Sequence, residues 1–133
     1  MKSILNRAAI KPILLATLWI GASEFVRNQL LLASYWVDHY RNMGLEFPAS
    51  PVNGIVWMIW SAVFASLIYI LRDKFSQLET IALGWVIGFV LMWLVIGNLG
   101  VLPYTLLWFA IPLSVVEVYG AVWVVDKTQS KRH

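Results

Sequence analysis

Glu24 and Arg27 lie inside the first long apolar stretch of this chain, and Glu117 lies inside the last. A charged side chain in hydrocarbon costs roughly 2.5 to 3.5 kcal/mol on insertion scales, so each such group marks a site with a partner to be found. Arg27 is the only cation of the three. It is expected to pair with Glu24 within its own helix, with Glu117 across the chain, or with both. Counting about 1.5 Å per residue from the cytoplasmic helix ends, Glu24, Arg27 and Glu117 fall about 17, 21 and 12 Å deep, a gap that an arginine side chain bridges.

Two carboxylates to one guanidinium leave one negative charge in excess. Hydrocarbon tolerates that excess only where a proton or a cation supplies the missing charge. Glu117 is the better candidate for the proton- or cation-holding group. Pro112 lies five residues before it and cannot donate to the carbonyl of Trp108, so a kinked helix with a free acceptor is expected about one turn from the carboxylate. Asn28 and Ser114 complete the expected polar lining. The bland reading of the same residues is a Glu–Arg–Glu set that fixes helix register.

The elements that position these groups follow from composition. Of 133 residues, 60% are apolar and 13% charged, and the mean hydropathy of +0.73 lies far outside the range of soluble domains. Uncharged or nearly uncharged runs long enough to cross roughly 30 Å of hydrocarbon predict four helices over about 12–37, 52–71, 79–97 and 103–126. The fold class expected is all-α: a compact bundle of four transmembrane helices with short loops, one domain over 1–133. The first helix is read as a single tilted span despite Glu24, Arg27 and Asn28. Thr17, Gly21, Glu24, Arg27, Asn28 and Tyr35 then share one face, with Asp38 at its outer end. A cleaved signal peptide ending near Gly21-Ala22-Ser23 is the rival reading, and the return of apolarity at Leu30 favours a retained helix.

Eight of the ten Lys and Arg residues (Lys2, Arg7, Lys11, Arg72, Lys74, Lys127, Lys131 and Arg132) fall on the same side of this arrangement, against Arg41 on the other. Both termini are therefore expected in the cytoplasm, in the inner membrane if the source is bacterial. The same bias accounts for the pI of about 9.4 without a nucleic-acid partner. Gly84 and Gly88 form a GxxxG pair, and Ala110, Ser114, Glu117 and Ala121 a small-residue face, suited to packing inside the bundle or to a homodimer.

Other chemistry is bounded by absence. No cysteine is present, which removes thiol catalysis, disulfides and iron–sulfur ligation. No HExxH, GxSxG or Walker loop occurs, and no catalytic residue, metal or cofactor is expected. Asp38, His39 and Glu46 in the outer loop offer ligand types, but a histidine beside acids in an interfacial loop reads as solvated. His133 is terminal and without an evident partner. Three functions remain as expectations. One is binding or transport of a small solute, proton or cation; another is a non-catalytic accessory role in a larger membrane complex; the third is a membrane enzyme acting on a lipid or isoprenoid.

Overall fold

Asn6 starts the first helix by accepting a hydrogen bond from the Ala8 amide at 2.9 Å, the side-chain cap that an otherwise orphaned N-terminal amide requires. The computed structural model describes residues 5–129, and Lys2, Lys131, Arg132 and His133 lie outside them. Five helices account for the fold, and no strand occurs among the described residues. They are α1 (Arg7–Leu31), α2 (Ala33–Asn42), α3 (Pro51–Lys74), α4 (Gln77–Asn98) and α5 (Tyr104–Thr128), and all but α2 are long and apolar enough to cross a membrane. Ser76 and Glu79 close a reciprocal capping box at the start of α4, with the Ser76 amide donating to Glu79 Oε2 at 2.9 Å and the Glu79 amide to Ser76 Oγ at 3.3 Å. This box places the helix start two residues before the apolar run begins.

The expected first helix over 12–37 is not one helix. Residues Val26–Leu31 form a wide π-helical turn, in which the Leu32 amide reaches back five residues to the Arg27 carbonyl at 2.8 Å. Leu32 then leaves helical geometry, with φ −116° and ψ 12°. The chain turns into α2 there, so Tyr35 and Asp38 depart from the polar face of α1. Instead, α2 covers the end of the bundle. Its Trp36 stacks on Phe47 of the following loop at 5.9 Å between ring centroids, and Tyr40 meets the same ring edge-on at 5.3 Å.

Two glycines end the helices at this pole. Gly44 and Gly100 have φ of 73° and 74°, the left-handed conformation that side chains resist. After each helix the same pair of bonds forms: Gly44 N–H to the Arg41 carbonyl and Leu45 N–H to the Tyr40 carbonyl, then Gly100 N–H to Gly97 and Val101 N–H to Ile96. Both are Schellman turns, which satisfy carbonyls that a helix end leaves open. His39 ties the two together through a ring nitrogen 2.7 Å from the Gly100 carbonyl. At the opposite pole Arg72 of α3 pairs with Asp126 of α5 at 2.6 Å.

α1 lies between α3 and α5, and α4 closes the group against α5 and α3. The core is apolar and partly aromatic, with Ile20, Phe64, Ile68, Tyr69, Phe89 and Val122 all buried. A second cluster of Leu32, Leu102, Leu106 and Ala110 seats α2 and the ends of α4 and α5. The exterior is apolar as well: Leu94 and Trp108, for example, are 66% and 84% exposed. An apolar outer surface of this extent suits hydrocarbon rather than water.

The GxxxG pair faces inward. Gly84 lies against Val118 of α5 and Ile68 of α3, while Gly88 admits the Phe64 ring so closely that a Cβ would fall 2.5 Å from it. These two glycines therefore close the bundle and are not available to a second copy. Gly88→Ala is expected to cost about 1–3 kcal/mol through overpacking, read from reversible unfolding in mixed micelles. An unchanged midpoint together with a changed oligomeric state would instead put Gly88 at an intermolecular contact.

Candidate functional site

The π turn of α1 carries Arg27, and a second π turn in α4, Val86–Val90, carries Phe89. The two side chains meet. The Arg27 guanidinium carbon lies 4.9 Å from the centroid of the Phe89 ring, a cation–π contact in a water-poor interior. Phe64 supports that ring edge-on at 5.9 Å, so the inward placement of Gly88 also determines the surface on which the cation rests.

The guanidinium is shared between two acids. Nη2 donates to Glu24 Oε1 at 2.5 Å and Nη1 donates to Glu117 Oε2 at 2.6 Å. All three residues are buried, at 4% exposure for Glu24, 5% for Arg27 and 1% for Glu117. Glu24 and Arg27 sit one turn apart on α1 and Glu117 near the midpoint of α5, so the network links two helices in the bundle interior. Asn28 extends it, its Nδ2 donating to Glu24 Oε2 at 2.9 Å while its Oδ1 accepts from Trp36 Nε1 at 3.1 Å. The break after α1 thus returns an indole from α2 to hold the amide that holds Glu24.

One acceptor is left over. Glu117 Oε1 is buried and receives no hydrogen bond, although every other carboxylate oxygen in the network has a donor. A buried carboxylate oxygen without a donor is costly. It stands where the charge count is one positive charge short.

Of the residues expected at the site, Glu24, Arg27, Asn28 and Glu117 converge. Ser114 does not join them. Its hydroxyl donates to the Ile111 carbonyl at 2.7 Å and accepts from Trp85 Nε1 at 2.9 Å, which ties α4 to α5 one turn away. α5 continues as a helix through Pro112. In α2, Asp38 pairs with Arg41 at 3.3 Å and His39 bonds the Gly100 carbonyl, and no three acidic or histidine side chains gather to hold a metal among the described residues.

Three aromatic partners were not legible in advance. Trp19 donates from Nε1 to the backbone carbonyl of Glu117 at 2.8 Å, fixing α1 against α5 at the level of the acid. Phe89 and Trp36 are the other two. Aromatic residues are too frequent in these spans for spacing to single any of them out.

Two cavities flank the network, one on each side of α1. A groove of about 860 Å³ runs between α1 and α3 beneath the Pro48–Asn53 segment, with Glu24, Asn28 and Thr17 in its wall. A cleft of about 270 Å³ lies between α1 and α5, with Arg27, Glu117, Trp19 and Ser23 in its wall. The network thus contributes Glu24 and Asn28 to one wall and Arg27 and Glu117 to the other.

Removing the shared cation leaves two buried carboxylates facing each other. Arg27→Gln is expected to destabilise the fold by about 3–5 kcal/mol, and Asn28→Ala by about 1 kcal/mol through the lost bond to Glu24, both measured by reversible unfolding in mixed micelles. A loss below about 1 kcal/mol for Arg27→Gln would mean that the network is solvated. Comparison of the chain with protein-family models, with curated proteins and with solved structures finds no match in any of the three, so the function is argued from this geometry.

Proposed function

We propose that this is an integral membrane protein whose Glu24/Arg27/Glu117 network binds one proton or one monovalent cation, as the central step of moving a small solute or ion across the bundle. The observation that carries the reading is Glu117 Oε1, a buried acceptor without a donor in a set with two acids and one base. A bound proton turns that oxygen into a neutral hydroxyl, and a bound cation offsets the excess charge by direct contact with it. The groove between α1 and α3, which opens beneath the Pro48–Asn53 segment and has Glu24, Asn28 and Thr17 in its wall, gives the set a route of access from the α2 pole.

The membrane placement draws on the four long apolar helices and on the apolar exterior. Arg7, Lys11, Arg72, Lys74 and Lys127 mark the pole where α1 starts and α3 and α5 end, which the positive-inside rule assigns to the cytoplasm. The α2 pole then faces outward. With no native cysteine, a single Glu46→Cys is expected to react with an impermeant maleimide in intact cells, and a single Gln77→Cys only after permeabilisation. The reverse pattern would invert the orientation.

The binding reading is tested by infrared difference spectroscopy on protein in lipid nanodiscs. A carbonyl stretch from a protonated carboxyl is expected at neutral pH in the absence of added cation and is expected to vanish in Glu117→Gln. Reconstituted vesicles are expected to show a proton or cation flux that the same variant abolishes while the protein remains folded. A wild-type flux in Glu117→Gln would remove Glu117 from the mechanism.

A further inference from the structure

The groove between α1 and α3 runs inward from the Pro48–Asn53 segment, with Ala62 the last α3 residue in its wall. From Asn53 to Ala62 is about 14 Å of helix, close to half of a hydrocarbon layer of roughly 30 Å. The groove therefore has about the depth of one leaflet. It opens on the outer face of the protein, where Phe25, Ile55 and Ile59 of its wall are 58%, 60% and 60% exposed.

Composition changes along that depth. Gln29, Ser50 and Asn53 stand at the α2 pole, whereas Phe25, Met58, Ile59 and Ala62 stand further in. Thr17, at the inner end, donates its hydroxyl to the Ile13 carbonyl at 2.7 Å and so keeps its proton on its own helix. The polar end holds two amides with bonding capacity to spare. Asn53 accepts at Oδ1 from the Ser50 amide at 3.1 Å and from the Ser50 hydroxyl at 2.6 Å, which fixes its Nδ2 in place without a partner among the described residues. The Gln29 side chain is half-buried and has no hydrogen bond at either amide atom among the described residues. An amide in an apolar span is costly until a partner satisfies it.

Charge narrows the partner. Glu24 is the one ionisable residue in the wall, and no Lys, Arg or His lines the groove. A phosphate or carboxylate headgroup finds no counter-charge there. The volume of about 860 Å³ corresponds to about 29 water molecules at ~30 Å³ each, room for one acyl chain with a small head.

We propose that the α1–α3 groove binds a lipid with an uncharged, hydroxyl-bearing headgroup, of the monoacylglycerol class. The head bonds the free amides of Gln29 and Asn53, and the chain lies along Phe25, Met58 and Ile59 towards Ala62. Hydroxyls both donate and accept, as the two amides require, and the chain stays in apolar surroundings. The proposal rests on the membrane placement and not on a proton or cation at the ion network. Where the network does bind one, a seated lipid covers its route of access from the α2 pole.

The test uses the full chain in lipid nanodiscs and a monolauroylglycerol with a diazirine at its chain end, cross-linked by light and located by peptide mass spectrometry. Label is expected on Phe25, Met58 or Ile59. Unlabelled monolauroylglycerol is expected to displace the probe at roughly tenfold lower concentration than its phosphate ester or dodecane, as two neutral hydrogen bonds give. Gln29→Leu, which removes one of the two amides, is expected to cut the preference over dodecane about threefold. Gly54→Phe is expected to abolish labelling, because it fills the groove from a wall position where an added Cβ meets nothing within 4 Å.

Equal competition by all three compounds would mean that any chain fills the groove, and would overturn the proposal. So would a phosphate ester as potent as the glyceride, a preference unchanged in Gln29→Leu, or groove labelling that survives Gly54→Phe. Label confined to other surfaces overturns it as well and leaves the proton reading standing. Absence of the protonated-carboxyl band in the wild type is the separate failure of that reading and leaves the lipid site intact.

Discussion

A single guanidinium shared by two carboxylates in the interior of an apolar bundle is the constraint on which the rest depends. In water the arrangement would be worth little, because solvent screens exposed ion pairs. In a low-dielectric interior, each acid depends on Arg27, and Arg27 depends on the geometry that holds both acids within reach. Glu24 comes with Arg27 on α1, one turn away. Glu117 must be delivered by α5, so the relative rotation and depth of the two helices are fixed by one side chain. Trp19 reinforces this with a bond to the backbone at the same residue.

The helices are shaped around that requirement. Each of the two π turns adds a residue to a turn of helix, and both occur at the level of the site, one under Arg27 and one under Phe89. Such insertions are rare within helices and concentrate at functional places. Here the first ends α1 and sends the chain into α2, and the second carries the aromatic face on which the cation rests. Small residues at Gly84 and Gly88 let α4 close on α3 and α5 near that ring. The polar network is therefore supported by packing that is itself aromatic and tight, and its ion pairs join α1 to α5 at one depth.

The four long helices and the convergence of Glu24, Arg27 and Glu117 were legible because charges inside apolar spans are few and depth along a helix follows from counting. The start of α4 was also written in the chain, as the Ser76-Gln77-Leu78-Glu79 capping pattern, although an apolar run alone points two residues later. The break at Leu32 was not legible. The residues around it, Leu30 to Val37, are as apolar as those of a continuing span, and what ends α1 is a backbone bond of the wrong length in registry terms, from Leu32 to Arg27. Ser114 misled for a related reason: a hydroxyl one turn from an acid looks like lining, yet its partner is Trp85 on another helix, and pairings across helices leave no mark in local spacing.

The glycine turns at Gly44 and Gly100 bear on how a bundle of four helices long and apolar enough to span would meet membranes of different thickness. A helix that frays at its end can gain or lose a turn to suit its surroundings, but one closed by a left-handed glycine and two fixed bonds cannot. α4 has 22 residues, about 33 Å of helix, and Gly100 limits it to that length at the α2 pole as Ser76 does at the opposite pole. In a bilayer with a thicker hydrocarbon layer, the mismatch falls on the lipid, which must thin around the protein, or on the tilt of the whole bundle. Membrane thickness then acts on the angle of the helices as a group and leaves their mutual register untouched.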